Sequence, residues 1–224
     1  MSHNNLEVIF KEMPKQTFFN LPEEKRKLIT DTLIRYFSQK PYHKVDITDV
    51  AKECSVAKGS MYQYFENKKD MYFYSIEMAY SKFLDLLNKI NIKQMSIFDY
   101  YENSLKTVWL ALKSLKDEYI LLERAFFFND SPFKDEINEK FLTKSREFLV
   151  EIVKNNQEKG FIRDDINPLI IAIFLEGASF YLKKFVIERA INQEGTSTYS
   201  LDIEYFRGFF EQFLKLLKEG LEKE

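Results

Sequence analysis

Between Asp46 and Phe65 two helical patterns follow one another with barely a turn between them. Ile47, Val50, Ala51 and Cys54 fall at i, i+3, i+4 and i+7 and form one apolar stripe. Asp46 supplies an N-cap, Ser55 and Val56 make a tight turn, and a second helix is predicted from about Lys58 to Phe65. Helices this short do not stand alone, so both must rest on something longer. The preceding stretch provides it. Pro22 suits a first helical turn, and Glu23 and Glu24 suit the positive end of a helix dipole. Leu28, Ile29, Leu33, Ile34 and Phe37 then recur at helical spacing, and Pro41 ends the pattern.

The remainder continues in the same manner. Six glycines and five prolines in 224 residues are too few breakers for a many-turned β structure. Asn67 can cap a long helix over "KKDMYFYSIEMAYSKFLDLLNKI". Further helices are predicted at roughly 97–115, 117–128, 133–158, 168–191 and 201–222, with breaks at "NDSP", "EKGFIRDDINP" and "NQEGTSTYS". About nine helices and no convincing strand predict an all-α chain. Residues 1–22 read as a loosely attached arm.

Composition excludes several functions. Hydrophobic residues at 45% and charged residues at 30% fit a globular protein. The single cysteine, Cys54, cannot form an internal disulfide, which fits a reducing compartment. "MSHNNLEVIFKEMPKQ" lacks a basic region followed by an apolar run, and the longest apolar run, "LIIAIFL", falls well short of the roughly 20 residues of a membrane span. The expectation is a cytoplasmic protein with no membrane partner. His3 and His43 are the only histidines, and no Walker loop, dinucleotide fingerprint or HExxH is present. Nothing therefore calls for an enzyme, a metal or a cofactor. Residues 1–70 carry a net +2 and the rest a net −4, a difference too small to decide anything.

The second short helix has two faces. Met61 and Phe65, four apart, can point inward with Val56, while Lys58, Gly59, Ser60, Tyr62 and Gln63 can point outward. Lys58 and Lys68 can neutralise phosphates. Gly59 lets a backbone come close. Ser60 and Tyr62 carry hydroxyls for phosphate oxygens, and Gln63 could pair with an adenine edge. Tyr64 fits core packing and a polar contact equally well. Asn67, Lys68 and Lys69 open the next helix, whose free N–H groups favour an anion.

"PYHKVDITDVAKECSVAKGSMYQYFENKKDMY" resembles the DNA-binding domain of the TetR/AcrR family of bacterial transcriptional regulators. Tyr42, Asp49, Val50, Ala51, Val56, Lys58, Gly59, Ser60, Tyr62, Tyr64, Phe65 and Lys68 fill matching places. "GFIRDDINP" also resembles a segment common before the family's eighth helix. The resemblance covers about residues 23–83, with the helix-turn-helix at 46–65, and implies a ligand-binding and dimerisation domain over 84–224. It implies DNA contacts from Tyr42, Lys58, Gly59, Ser60, Tyr62, Gln63, Tyr64 and Lys68. Four positions depart from the pattern. Pro41 stands for the usual Gly, Asp46 for a Ser/Thr cap, Ser55 for the turn Gly and Ala57 for the Ser that caps the recognition helix. The implied function is a homodimeric regulator, a repressor released from a palindromic operator by a small apolar or aromatic molecule.

The C-terminal half is rich in rings. The chain has 22 Phe, 13 Tyr and one Trp, enough either to fill a core or to line a ligand cavity. Trp109, Phe127, Phe174 and Phe180 are the cavity candidates, grouped around Glu176. That carboxylate interrupts "IIAIFLEGASFYL" and needs either a basic side chain or a cationic ligand. Leu169 to Leu182 is apolar nearly all round, and Gly177 and Ala178 would let another helix approach closely. Phe206, Phe209, Phe210, Phe213, Leu214 and Leu217 make a second wide stripe. A two-fold dimer through a four-helix bundle would cover both. The competing reading is a helical carrier of apolar molecules without a DNA role, and the run from Lys58 to Lys68 argues against it.

Overall fold

The computed structural model describes residues 14–87, 95–103, 114–127, 131–194 and 203–222. Its elements are α1 (Gln16–Phe19), α2 (Glu23–Gln39), a 3-10 turn at Tyr42–Lys44, α3 (Ile47–Glu53), α4 (Lys58–Tyr64) and α5 (Lys68–Leu87). Residues 97–103 are helical (α6). Then come α7 (Lys116–Phe127), α8 (Lys134–Glu158), α9 (Pro168–Glu194) and α10 (Ile203–Leu221). No strand occurs among the described residues, and the one isolated bridge joins Ile162 to Glu222. No described helix is long and apolar enough to cross a membrane.

The chain forms two compact units, and their division is not sequential. The first combines Met1–Asp85 with Leu115–Ile137, and the second combines Leu86–Ser114 with Asn138–Glu224. The first unit thus releases the chain after Asp85 and takes it up again at Leu115. The reason lies in α7, which packs along α2 and buries Leu121 and Ala125 completely. Polar contacts fasten the pair. Ser38 Oγ donates to Asp117 (3.0 Å), and Lys82 of α5 reaches both Asp31 on α2 (2.9 Å) and Glu118 on α7 (2.7 Å).

Within the first unit the short helices form where local chemistry dictates. The Asp46 carboxylate accepts the Thr48 N–H (2.7 Å) and caps α3. Asn67 accepts the Asp70 N–H (3.0 Å), and Asp70 accepts that of Glu66 (3.2 Å), a reciprocal cap on α5. Met61, Phe65, Val50, Ile29, Leu33, Ile34 and Phe37 are buried, with α3 resting on α2 and α4 resting on α3 and α1. The expectation of a loose arm is corrected. From Pro14 onward the segment is docked, and Phe18 is only 1% exposed among Phe65, Tyr64 and Tyr74.

The second unit has its own core of Ile97, Phe98, Tyr101, Ile152, Val153, Ile162, Ile171, Leu175, Phe210, Phe213, Leu217 and Leu221. The segment over 160–167 is tightly tied. Gly160 takes φ +72°, Gln157 donates to the carbonyls of Arg163 (3.0 Å) and Ile166 (2.8 Å), and Asn167 caps α9 through the Leu169 N–H (2.9 Å). This core takes up part of the stripe expected at a dimer surface. Phe210, Phe213 and Leu217 lie inside one protomer, because α10 turns its stripe onto α6, α8 and α9. Phe209 is half-buried, and the side chain of Phe206 lies outside the described residues. The apolar face left open belongs to α9: Ile170, Ile173, Phe174, Tyr181 and Phe185 are exposed at helical spacing. Gly177 lies in that row, and a methyl built there would meet no atom within 4 Å. Ala178 is half-buried beside the core.

Candidate nucleic-acid interface

The turn between α3 and α4 is a complete Schellman motif. The Val56 N–H returns to the Ala51 carbonyl (3.0 Å) and the Ser55 N–H to that of Lys52 (3.0 Å). Ser55 adopts φ 51°, the left-handed conformation that the missing glycine would have taken freely. Lys25 on α2 donates its ammonium to the Cys54 carbonyl, and Cys54 itself is buried. Ala57 begins α4 without any side-chain cap. The orientation of α4 is thus set by the turn and by Met61 and Phe65 beneath it.

Lys58, Gly59, Tyr62 and Gln63 all face water, with Tyr62 at 38% exposure. Ser60 and Tyr64 are half-buried. A methyl group at Gly59 would meet nothing within 4 Å. Among the described residues no neighbour demands a glycine there, and its lack of a side chain keeps the outward face low. Tyr64 packs its ring near Phe18 (6.1 Å), as a core residue would.

Tyr42 and Lys68 meet beside this face. Tyr42 lies between Phe37, Tyr72 and Phe133, with ring centroids 6.1, 5.3 and 5.2 Å away. The Lys68 ammonium sits over its ring at 4.7 Å. Burial raises the Tyr42 phenol above its ordinary range, with Tyr62 and Asp70 adding to it, so the hydroxyl stays a donor at neutral pH. Burial pulls the Lys68 ammonium below its ordinary value, against the attraction of Asp46. The Thr48 amide holds the Asp46 carboxyl below the carboxylate range, and Lys58 and Lys68 contribute to the same effect. Two cations on the first residues of α4 and α5 thus flank one exposed carboxylate. The arrangement can hold phosphate oxygens from two helix starts, with Asp46 trimming the local positive field.

The expected effector residues are brought together only in part. Trp109 and the side chain of Phe127 lie outside the described residues. Phe174 is 57% exposed, which removes it from any interior cavity, while Phe180 is half-buried beside Tyr181. Glu176 is buried, and its basic partner is Arg146 of α8, whose Nε (3.0 Å) and Nη2 (2.7 Å) both donate to Oε2. Oε1 is buried without a partner. Nearby, Tyr101 donates to the Leu175 carbonyl (3.5 Å) and takes a bond from Ser179 (3.1 Å). Burial pushes its phenol up to about 12, with the charge of Glu176 adding to the shift. Among the described residues no His/Cys/Asp/Glu cluster could hold a metal ion.

Sequence reasoning missed Lys15, Thr17 and Phe18. Their one available signal was Phe18-Phe19, an aromatic pair in a polar stretch that had to be covered by something.

Comparison with known proteins agrees with this geometry. Residues 29–74 match the family model for bacterial regulatory proteins, tetR family. The chain is 28% identical over 177 residues, 77% of its length and 94% of the relative's, to the biofilm operon icaADBC HTH-type negative transcriptional regulator IcaR of Staphylococcus epidermidis. It is 30% identical over 95 residues to the uncharacterized HTH-type transcriptional regulator YuxN of Bacillus subtilis, spanning only 33% of that protein. A TetR family transcriptional regulator from Chloroflexus aurantiacus superposes with a TM-score of 0.61 at 24% identity, covering 95% of this chain and 100% of the other. AibR, solved in complex with isovaleryl coenzyme A and operator DNA, superposes with a TM-score of 0.55 at 15% identity over 86% of this chain and 97% of its own. At these identities the structural likenesses establish the fold alone.

Proposed function

We propose that this chain, which belongs to the tetR family of bacterial regulatory proteins, is a ligand-responsive repressor that reads a two-fold symmetric operator through α4. The observation that carries the reading is the outward face of α4. Lys58, Tyr62 and Gln63 are exposed around Gly59, above which a side chain would find open space. Lys58 and Lys68 take phosphates, Tyr42 and Ser60 add hydroxyl donors, Tyr62 lies along the backbone, and Gln63 reaches a base edge. IcaR is a negative regulator by name, which favours repression, and AibR holds an acyl coenzyme A together with operator DNA, which favours effector control. Two copies join through the open face of α9 and set the spacing of the two α4 helices. The effector is an apolar or aromatic molecule whose hydrogen-bond donor, cationic or neutral, meets Glu176 Oε1. It acts by binding one spacing of the recognition helices better than the other.

The test is selection of randomised duplexes by the purified chain. A symmetric site is expected. Lys58→Ala then weakens binding to the selected and a scrambled duplex alike and reduces the salt slope by about 1. Gln63→Ala instead relaxes preference at one base pair of each half-site, at a cost of about 1–3 kcal/mol. Unchanged binding in both variants would remove α4 from the interface. Hydrophobic cations, neutral aromatics and fatty acyl compounds, screened for release of the selected duplex, identify the effector class.

A further inference from the structure

The recognition helix α4 is only seven residues long, and a helix leaves its last carbonyls without partners inside it. The bond from the Phe65 N–H to the Met61 carbonyl (2.9 Å) closes its final turn. The carbonyls of Tyr62, Gln63 and Tyr64 remain. Each meets a donor from one short segment 46 or more residues upstream. The Lys15 ammonium donates to the Tyr62 carbonyl (3.3 Å), the Thr17 hydroxyl to that of Gln63, and the Lys15 backbone N–H to that of Tyr64 (2.8 Å). Phe18 anchors the segment, with Phe65 at 5.3 Å and Tyr74 at 5.5 Å. Lys15 also pairs with Glu66 at 2.5 Å, so its charge is already engaged by the protein.

We propose that Lys15, Thr17 and Phe18 are positioning residues for sequence reading. They cap the C-terminal end of α4 and so fix the angle at which Tyr62 and Gln63 meet the duplex, while touching no DNA themselves. Two of the three residues whose backbones they hold, Tyr62 and Gln63, turn their side chains outward. A free C-terminal turn would fray, and Gln63 would lose the fixed backbone that a bidentate base contact requires. The inference rests on the DNA-reading role proposed above.

Thr17→Val removes one hydroxyl at nearly constant shape, and Phe18→Ala removes the anchor. A thermal melt establishes that each variant folds. The first readout needs no DNA. Hydrogen exchange of the amides of residues 62–65 is expected to quicken about fivefold in Thr17→Val, with the α2 amides unchanged. The second readout uses the duplex selected by the wild-type chain and a scrambled control. Affinity for the selected duplex falls about fivefold, the control is unchanged, and the salt slope stays that of wild type. Unaltered exchange in both variants overturns the capping role. Faster exchange with the wild-type ratio of selected to scrambled affinity makes the segment structural only, and overturns the reading role. A reduced salt slope in Thr17→Val or Lys15→Met means direct phosphate contact and overturns it as well. A wild-type chain that selects no duplex overturns the functional reading and the reading role with it, while the exchange result still decides the cap.

Discussion

Glu176 is the residue where local chemistry and global packing meet most sharply. A carboxylate inside an apolar helix is costly unless paired, and that necessity is visible in the sequence. Which group pairs with it is not, because the choice depends on how α8 lies against α9. The structure supplies Arg146, thirty positions upstream, and both of its donors go to one carboxylate oxygen. The asymmetry sets up a measurable contrast. Arg146→Ala leaves a buried charge with no counterion, and the expected loss is about 2–3 kcal/mol, at the low side because the Arg146 side chain is 42% exposed. Glu176→Gln keeps the shape and removes the charge, so the expected loss is about 1 kcal/mol or less. The double variant should be no worse than Arg146→Ala alone. Urea midpoints of the four proteins give the comparison. A loss on adding Arg146→Ala to Glu176→Gln as large as that in the wild type would mean that packing by the Arg146 stem, and not the charge, is what matters. The same logic explains why the place of Phe174 is not legible in the sequence. Its ring type suits a cavity, but only the rotation of α9 decides whether it points in or out.

At the scale of elements, the helix boundaries that were legible rest on chemistry within three or four residues. Asp46 caps α3, Asn67 caps α5, and Glu23 and Glu24 open α2, all as their side chains dictate. Four-residue α1 escaped notice because a single turn has no period to detect. The grouping of α7 with the first unit escaped as well, since a pairing between helices more than 70 residues apart leaves no mark in either sequence alone. Two of the four departures, Ser55 and Ala57, yield a prediction. Ser55 holds a left-handed φ of 51°, and α4 begins at Ala57 with no side-chain cap. Ser55→Gly should relieve the backbone by about 1 kcal/mol, and Ala57→Ser should supply a cap of similar value. The sites lie in one turn, so the gains need not add fully. Chemical denaturation reads both. A destabilised Ser55→Gly would show that the serine side chain contributes more than its backbone costs.

At the scale of the molecule, two apolar helices could be read from the sequence, but not which of them faced outward. α9 is apolar nearly all round, so it can bury one side in its own core and still offer another. α10 is more one-sided, and Phe210, Phe213, Leu217 and Leu221 of its stripe lie in the core of its own chain. The distinction moves the proposed dimer contact from the Phe210–Leu217 stripe to Ile170, Ile173 and Phe174, with Gly177 between them and Tyr181. A charge in that row should separate the two explanations. Ile173→Asp and Phe174→Asp replace groups already open to water, so the isolated protomer should lose no more than about 0.5 kcal/mol. Each should nevertheless halve the mass seen by light scattering and abolish tight binding to a two-fold symmetric duplex, because one α4 cannot span two half-sites. Phe213→Ala should do the reverse. It opens a cavity in the protomer's core, costing about 3–5 kcal/mol, yet whatever remains folded should keep the wild-type mass. Should Phe174→Asp stay dimeric while Phe213→Ala falls apart into folded monomers, the contact belongs to α10 after all, and the open face of α9 must be covered by something other than a second copy.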